Sequence, residues 1–177
     1  MSDLQNFHAK ICFTAAAWLL HDEKVLLVHH KKLDIWLAPG GHVEEQELPH
    51  QTAEREFWEE TGIRAKAISQ QEFGVDEATE FLPNPIASNL HWVCKENYWL
   101  RQGIGKSEDV PEGWRKRKCE QHLGLSYLVY PTNGVEFRQD VEETLGIGWF
   151  GPEELADLQT LDNIRAEAKF VFEHYPR

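Results

Sequence analysis

Ala15 to Leu20 and Val25 to His30 are mostly apolar runs of strand length, separated by the polar tetrapeptide His21-Asp22-Glu23-Lys24. Two such runs across a short polar link predict a paired hairpin. Trp36-Leu37-Ala38 reads as the end of a further strand, broken by Pro39-Gly40-Gly41. From residue 50 to 61 the pattern changes. That stretch has no Gly or Pro, is rich in good helix formers, and carries Ala53 and Phe57 four apart as an apolar stripe. Pro49 suits a first helical turn, where its missing N–H is not needed, and Gly62 stands where a left-handed stop is usual. Beyond it, Ala65 to Phe73 begins as a strand, and Ile86 to Cys94 holds one more. His122 to Tyr130 is a strong strand candidate closed by Pro131, and Gly148-Trp149-Phe150 suggests a short one. Gly151-Pro152-Glu153-Glu154-Leu155 opens a helix. Leu161, Ile164, Ala168, Val171 and Phe172 recur at helical spacing and predict a last helix over Leu161 to His174. Strands, a central helix, then strands and helices predict an α+β or α/β/α sandwich.

The central helix carries the chemistry. Glu56, Glu59 and Glu60 lie at i, i+3 and i+4 and project from one face. Three carboxylates within about 100° of arc repel one another unless a cation sits among them. Hard divalent cations choose such oxygen ligands, and Mg²⁺ commonly serves phosphate substrates. A short acidic run by itself ordinarily faces water. Arg55 stands four residues before Glu59 and can pair with it. The paired glycines before the helix let a backbone pass close to a ligand.

These residues form one frame: Gly41-x5-Glu47-x7-Arg55-Glu56-Phe57-x-Glu59-Glu60-x-Gly62-Ile63. At about 7% usage per residue type, its seven fixed positions would match by chance on the order of once in 10⁸. The frame resembles the signature of the Nudix hydrolases, which cleave a nucleoside diphosphate linked to another group X with the help of divalent metal. The resemblance implies a Nudix fold, an α/β/α sandwich with a mixed β-sheet and the loop-helix-loop Nudix box. It implies Mg²⁺ or Mn²⁺ held by Glu56, Glu59, Glu60 and the Gly40 carbonyl. It gives Glu47 and Arg55 a bracing role. The general base varies within the family, and Glu60, Asp140, Glu142 and Glu143 are the candidates here. Trp149-Phe150-x-x-Glu153-Glu154-Leu155 also looks like the end of many members. Phe57 departs from the usual Leu, Ile or Val, so the core beneath it must be shaped to suit it.

The group X is not specified. Markers that the ADP-ribose and dinucleoside polyphosphate subfamilies carry downstream are absent: Ala78, Thr79 and Glu80 occupy those places, and the first proline is Pro83. Nucleoside triphosphates, oxidised nucleotides and nucleotide sugars stay open, with release of a nucleoside monophosphate favoured. The alternative is a catalytically inactive Nudix-fold module that senses a nucleotide. Such members typically lose a box glutamate, and none is lost here.

Composition sets outer bounds. At 177 residues the chain is expected to form one domain with a proper core, residues 1–177. A net charge of −12 argues against binding duplex or single-stranded nucleic acid in general. It does not argue against a small phosphate substrate, because bound metal supplies local positive charge. No apolar run approaches a membrane span, and Ile11 to Leu20 lacks the flanks of a signal peptide. Cys12, Cys94 and Cys119 are widely spaced and lack a CxxC. That spacing predicts neither a disulfide framework nor a zinc site, and it suits a reducing cytoplasm. His29, His30, His42 and His122 are placed outside the metal shell, because three glutamates and a carbonyl already supply hard ligands.

Residues 76–119 read as an insertion rich in Pro, Gly and mixed charge. Trp92, Tyr98 and Trp99 favour core or dimer packing over stacking on a base. Arg115-Lys116-Arg117-Lys118 reads as a solvated basic run, the alternative being a grip on polyphosphate. The resemblance also allows a homodimer, since many relatives pair through the sheet or an insertion.

Overall fold

The computed structural model describes residues 9–69, 77–94, 96–99 and 119–175. Strands β1 (Ile11–His21) and β2 (Lys24–His30) form the expected hairpin. Asp22 and Glu23 both take positive φ, 48° and 61°, as a two-residue turn of the I′ kind requires. β3 (Ile35–Leu37) pairs with β2. Helix α1 runs Pro49–Thr61 with Pro49 in its first turn and stops at Gly62, whose φ is 73°. β5 (Ala65–Ala67), β6 (Ala87–Trp92), β7 (Gln121–Pro131) and β8 (Thr144–Phe150) follow, then α2 (Pro152–Asp157) and α3 (Asp162–His174).

One expectation is corrected between β3 and α1. Pro39-Gly40-Gly41 does not merely break the chain, because Gly40–His42 forms a short strand, β4, antiparallel to β1. A Cβ on Gly40 would lie 2.4 Å from the Ala15 carbonyl oxygen. Only glycine permits so close a pairing.

The sheet is mixed. β1 runs parallel to β7 from Ile11 to Leu19, while its other edge pairs with β4 and then β2. β6 and β5 share the far edge of β7, and β8 lies along β2. Alternate residues of β1 face opposite layers, as the strand period demands. Ala15, Ala17 and Leu19 pack with Ala53 and Phe57 of α1. Trp18 packs on the other side with Leu155, Ala168 and Val171 of α2 and α3. The sheet is thus covered by helix on both faces, an α/β/α sandwich.

Phe57 is fully buried, and its size is accommodated by alanines: Ala15, Ala17, Ala53 and Ala65 belong to the same cluster. A large side chain among small ones keeps the volume near native density.

The second correction concerns the cysteines. Cys12, near the start of β1, and Cys119, just before β7, form a disulfide with Cα atoms 5.6 Å apart. Their spacing of 107 residues hides this, and the parallel β1–β7 register creates it by placing Cys12 opposite His122. A disulfide of this kind is not what a reducing compartment favours. No helix among the described residues is long and apolar enough to cross a membrane.

Candidate active site

Gly40 and Gly41 lie against Glu60 and Glu56, which are less exposed than Glu59 on the same face of α1. The Gly40 N–H donates to Glu60 Oε2 at 3.1 Å, and Glu60 is only 3% exposed. A Cβ on Gly41 would fall 2.1 Å from Glu56 Oε1. The two glycines are therefore open cradles over two carboxylates. Burial, then the neighbouring Glu56 charge, pushes the Glu60 carboxyl up to about 8. Burial likewise raises Glu56, against the pull of Arg55.

Arg55 organises the opposite half. Its Nε and Nη2 donate to both oxygens of Glu47 at 2.9 and 3.0 Å. Its Nη1 donates to Glu56 at 2.8 Å and Glu59 at 3.0 Å, and its Nη2 reaches the His42 carbonyl at 3.4 Å. Glu47 also accepts from Thr52 Oγ1 at 2.7 Å. Hydrogen bonds from Arg55 hold the Glu47 carboxyl down to about 2. A bidentate guanidinium–carboxylate pair fixes geometry as well as charge.

The loop before β8 closes the acidic group. Its backbone is tied to the end of α1: the Arg138 N–H donates to the Thr61 carbonyl at 2.7 Å, and the Asp140 N–H to the Glu60 carbonyl at 3.3 Å. Glu143 bears electrostatically on both Glu56 and Glu60, and Asp140 on Glu60. Glu142 does neither; its N–H donates to Asp140 Oδ1 at 2.8 Å. Of the three acidic candidates outside the helix, the fold thus brings Asp140 and Glu143 to the site.

These residues suit a hard divalent cation. The donors are carboxylate oxygens; Glu60 is buried and Glu56 partly so, and burial and neighbouring carboxylates disfavour the charged form of each. A cation among them would relieve that cost. Here Arg55 partly fills this role for Glu56 and Glu59.

A cavity of about 270 Å³ opens beside the glycines. Its walls include Gly40, Gly41, His42, Leu125, Ser126 and Glu167. A larger hollow of about 580 Å³ lies over the outer side of α1, between Glu47, Trp58 and Arg64. The smaller one is the better substrate cleft, because both cradle glycines line it.

Glu167 was not singled out from the sequence. It accepts from Ser126 Oγ at 2.6 Å, Asn89 Nδ2 at 2.9 Å and Trp18 Nε1 at 3.1 Å, and so ties α3 to three strands. Its signal was a charge inside an apolar stripe, three residues after Ile164 and one before Ala168. Tyr98 meets Trp92 and Trp99 edge-on, none of the three lines the cavity, and Trp99 is 65% exposed rather than packed in the core. The basic run 115–118 lies outside the described residues. Among the described residues, Cys12, His42 and Cys119 bring metal-ligating atoms within 4.8 Å of one another. The two sulfurs of that grouping are joined as the disulfide, and His42 is the residue that spacing along the chain did not place beside them.

Comparison with known proteins gives a consistent answer. The NUDIX domain family matches residues 12–172. An RNA pyrophosphohydrolase of Cereibacter sphaeroides is 32% identical over 115 residues, covering 61% of this chain and 69% of that protein. Phosphatase NudJ of Escherichia coli K12 is 33% identical over 84 residues, covering 44% of this chain and 55% of that protein. Among solved structures, a NUDIX-family hydrolase from Clostridium perfringens superposes with a TM-score of 0.64 at 22% identity, covering 93% of this chain and 97% of that one. A UDP-X diphosphatase does so with a TM-score of 0.58 at 19% identity, covering 96% and 66%.

Proposed function

Because this chain belongs to the Nudix family of pyrophosphohydrolases, we propose that it hydrolyses the phosphoanhydride of a small nucleoside diphosphate derivative and releases a nucleoside monophosphate. The observation that carries this reading is the buried Glu60 carboxylate and the partly buried Glu56 carboxylate, set under the Gly40–Gly41 cradle. Such a pair costs stability unless a cation joins it, and a phosphoanhydride needs that cation.

Glu56, Glu59, Glu60 and the Gly40 carbonyl would hold Mg²⁺ or Mn²⁺. When bound, the ion neutralises charge on the phosphate oxygens and lowers the pKa of a coordinated water. Glu59, 44% exposed at its side chain, can turn from Arg55 toward the cleft. Glu60 is fixed by the Gly40 N–H and is too enclosed to move with a water. Glu143 is exposed yet electrostatically coupled to both Glu56 and Glu60, so it takes the proton of the attacking water. Glu47 and Arg55 brace the loop against the helix. The cleft beside Gly40 takes the nucleoside.

The similarity to an RNA pyrophosphohydrolase supports a second reading, in which the triphosphate is the 5′ end of an RNA. The net charge of −12 favours the small substrate.

The test is a substrate panel with Mg²⁺ or Mn²⁺, products identified by mass. It holds ordinary and oxidised nucleoside triphosphates, nucleotide sugars, ADP-ribose, dinucleoside polyphosphates and a 5′-triphosphorylated RNA. Cleavage of a small substrate to a monophosphate, silent in Glu59→Gln, is expected. Glu143→Gln should lower kcat by about 10²–10⁴-fold, and Glu142→Gln should leave it unchanged. Preference for the RNA would replace the first reading with the second. Binding of a nucleotide without any turnover would make the chain a sensing module.

A further inference from the structure

A second cluster stands on the other side of β4 from the carboxylates. Cys12 lies on β1, Cys119 precedes β7 by two residues, and His42 ends β4. Their ligand atoms fall within 4.8 Å of one another, and the set is sulfur and imidazole rather than oxygen. His42 Nε2 is 3.5 Å from Cys119 Sγ. In a tetrahedral zinc site, bonds of about 2.3 Å to sulfur and about 2.0–2.1 Å to nitrogen place those two atoms about 3.6 Å apart. The two sulfurs, now bonded to each other, would need about 3.8 Å between them by the same geometry. Two cysteines with Cα atoms 5.6 Å apart reach that separation by side-chain rotation once the disulfide is opened.

We propose that reduced Cys12 and Cys119, with His42, form a Zn²⁺ site that excludes the disulfide. In the first step a dithiol reductant delivers two electrons and two protons. The Cys12–Cys119 S–S bond breaks, two thiols form, and the reductant closes to its own cyclic disulfide. In the second step the ion binds and both thiol protons leave to solvent, so two thiolates balance its charge. Three protein ligands would leave a fourth position for water, and the His122 ring stands edge-on to His42 with centroids 4.9 Å apart. Thiolate and imidazole select a borderline-soft ion, whereas the glutamates select a hard one, so the two metals sort by ligand chemistry.

The site is close to the hydrolytic one without sharing a ligand. The His42 carbonyl is within reach of Arg55, and Gly40 of the same strand donates to Glu60. The disulfide joins β1 to the segment before β7, whereas bound zinc would also tie in β4 through His42.

The experiment uses the full chain carrying Cys94→Ser, reduced with a dithiol and freed of it under argon. Co²⁺ is titrated with Mg²⁺ saturating, so that the glutamates are occupied. One cobalt per chain, a thiolate-to-cobalt charge-transfer band, and its displacement by Zn²⁺ are expected. The disulfide form and Cys119→Ser should show no band. His42→Ala keeps both sulfurs and should weaken cobalt binding at least about 10-fold. A reduced protein without the band, a band that survives Cys119→Ser, or unchanged affinity in His42→Ala would each overturn the proposal. Glu59→Gln should keep the band whether or not it hydrolyses anything, which separates this result from the fate of the hydrolase reading.

Discussion

Glu47 precedes α1 and Glu60 lies on it, and the carboxyls of these two residues of one type are driven in opposite directions. Glu47 is held down to about 2 by a bidentate guanidinium and a threonine hydroxyl. Glu60 is pushed up to about 8 by burial beside another carboxylate, with a single N–H to support it. One end of the site is thus finished by the protein alone, while the other stays short of positive charge. The difference separates bracing from binding: where a carboxylate is fully satisfied it positions, and where it is left underprovided it recruits a cation.

The linkage signs are opposite as well. Glu47 has its pKa lowered, so its contribution to stability is present above about pH 4.5 and is lost as pH falls toward about 2. Glu60 has its pKa raised, so its contribution is present below about pH 4.5 and is lost as pH rises toward about 8. Metal-free protein should therefore lose stability on both sides of the mildly acidic range.

The strongest way to break the comparison is Glu60→Gln. It should abolish turnover, yet raise the metal-free unfolding free energy above pH 8 by a few kcal/mol, since each tenfold change in proton affinity on folding is worth about 1.4 kcal/mol. Below pH 4.5 the variant should match the parent in urea titrations. Equal stability at both extremes would show that Glu60 carries no burial cost.

Arg55→Ala attacks the finished half. A buried pair broken at one side costs about 3–5 kcal/mol, and the quarter exposure of this guanidinium brings that down to about 2–4 kcal/mol by urea denaturation. Its acid limb should move to higher pH, because Glu47 would lose its main partner.

Gly41→Ala tests the cradle. The new methyl meets the carboxylate of Glu56, a side-chain end that must turn from Arg55 to make room, so the melting temperature should fall less than for a backbone clash while kcat falls severalfold. Gly40→Ala meets the Ala15 backbone instead, and should cost stability of about 1–3 kcal/mol by overpacking. The reverse ranking in a thermal melt would refute the cradle geometry. Thr52→Val is the smallest change. It removes one hydrogen bond to Glu47 and should cost about 1–2 kcal/mol, with activity at neutral pH retained.

Much of this was legible along the chain. The hairpin, α1, β7 and α3 announce themselves through local period and through Pro49, Asp22-Glu23 and Gly62, all of which act over a few residues. The box residues were legible because they share one helix and one preceding loop. What was hidden depends on pairing between distant segments. β4 exists because Gly40 fits beneath Ala15, and nothing in its composition favours a strand. Cys12 and Cys119 meet through the β1–β7 register, which no local pattern encodes. Glu143 separates from Glu142 only once the turn before β8 is folded.

The parallel pairing of β1 with β7 has a consequence in time. Every residue of the box has been synthesised by Ile63, but the partner of β1 is complete only at Pro131. At about 5–20 residues per second, those positions emerge from the ribosome on the order of 3–14 s apart. During that interval α1 has β1 to cover it, and β1 lacks its main neighbour. Contacts that span so much sequence make folding slow, because the loop must close before they repay its entropy. Hydrolytic competence should therefore arrive late and abruptly, with the docking of a strand that contributes none of the box residues.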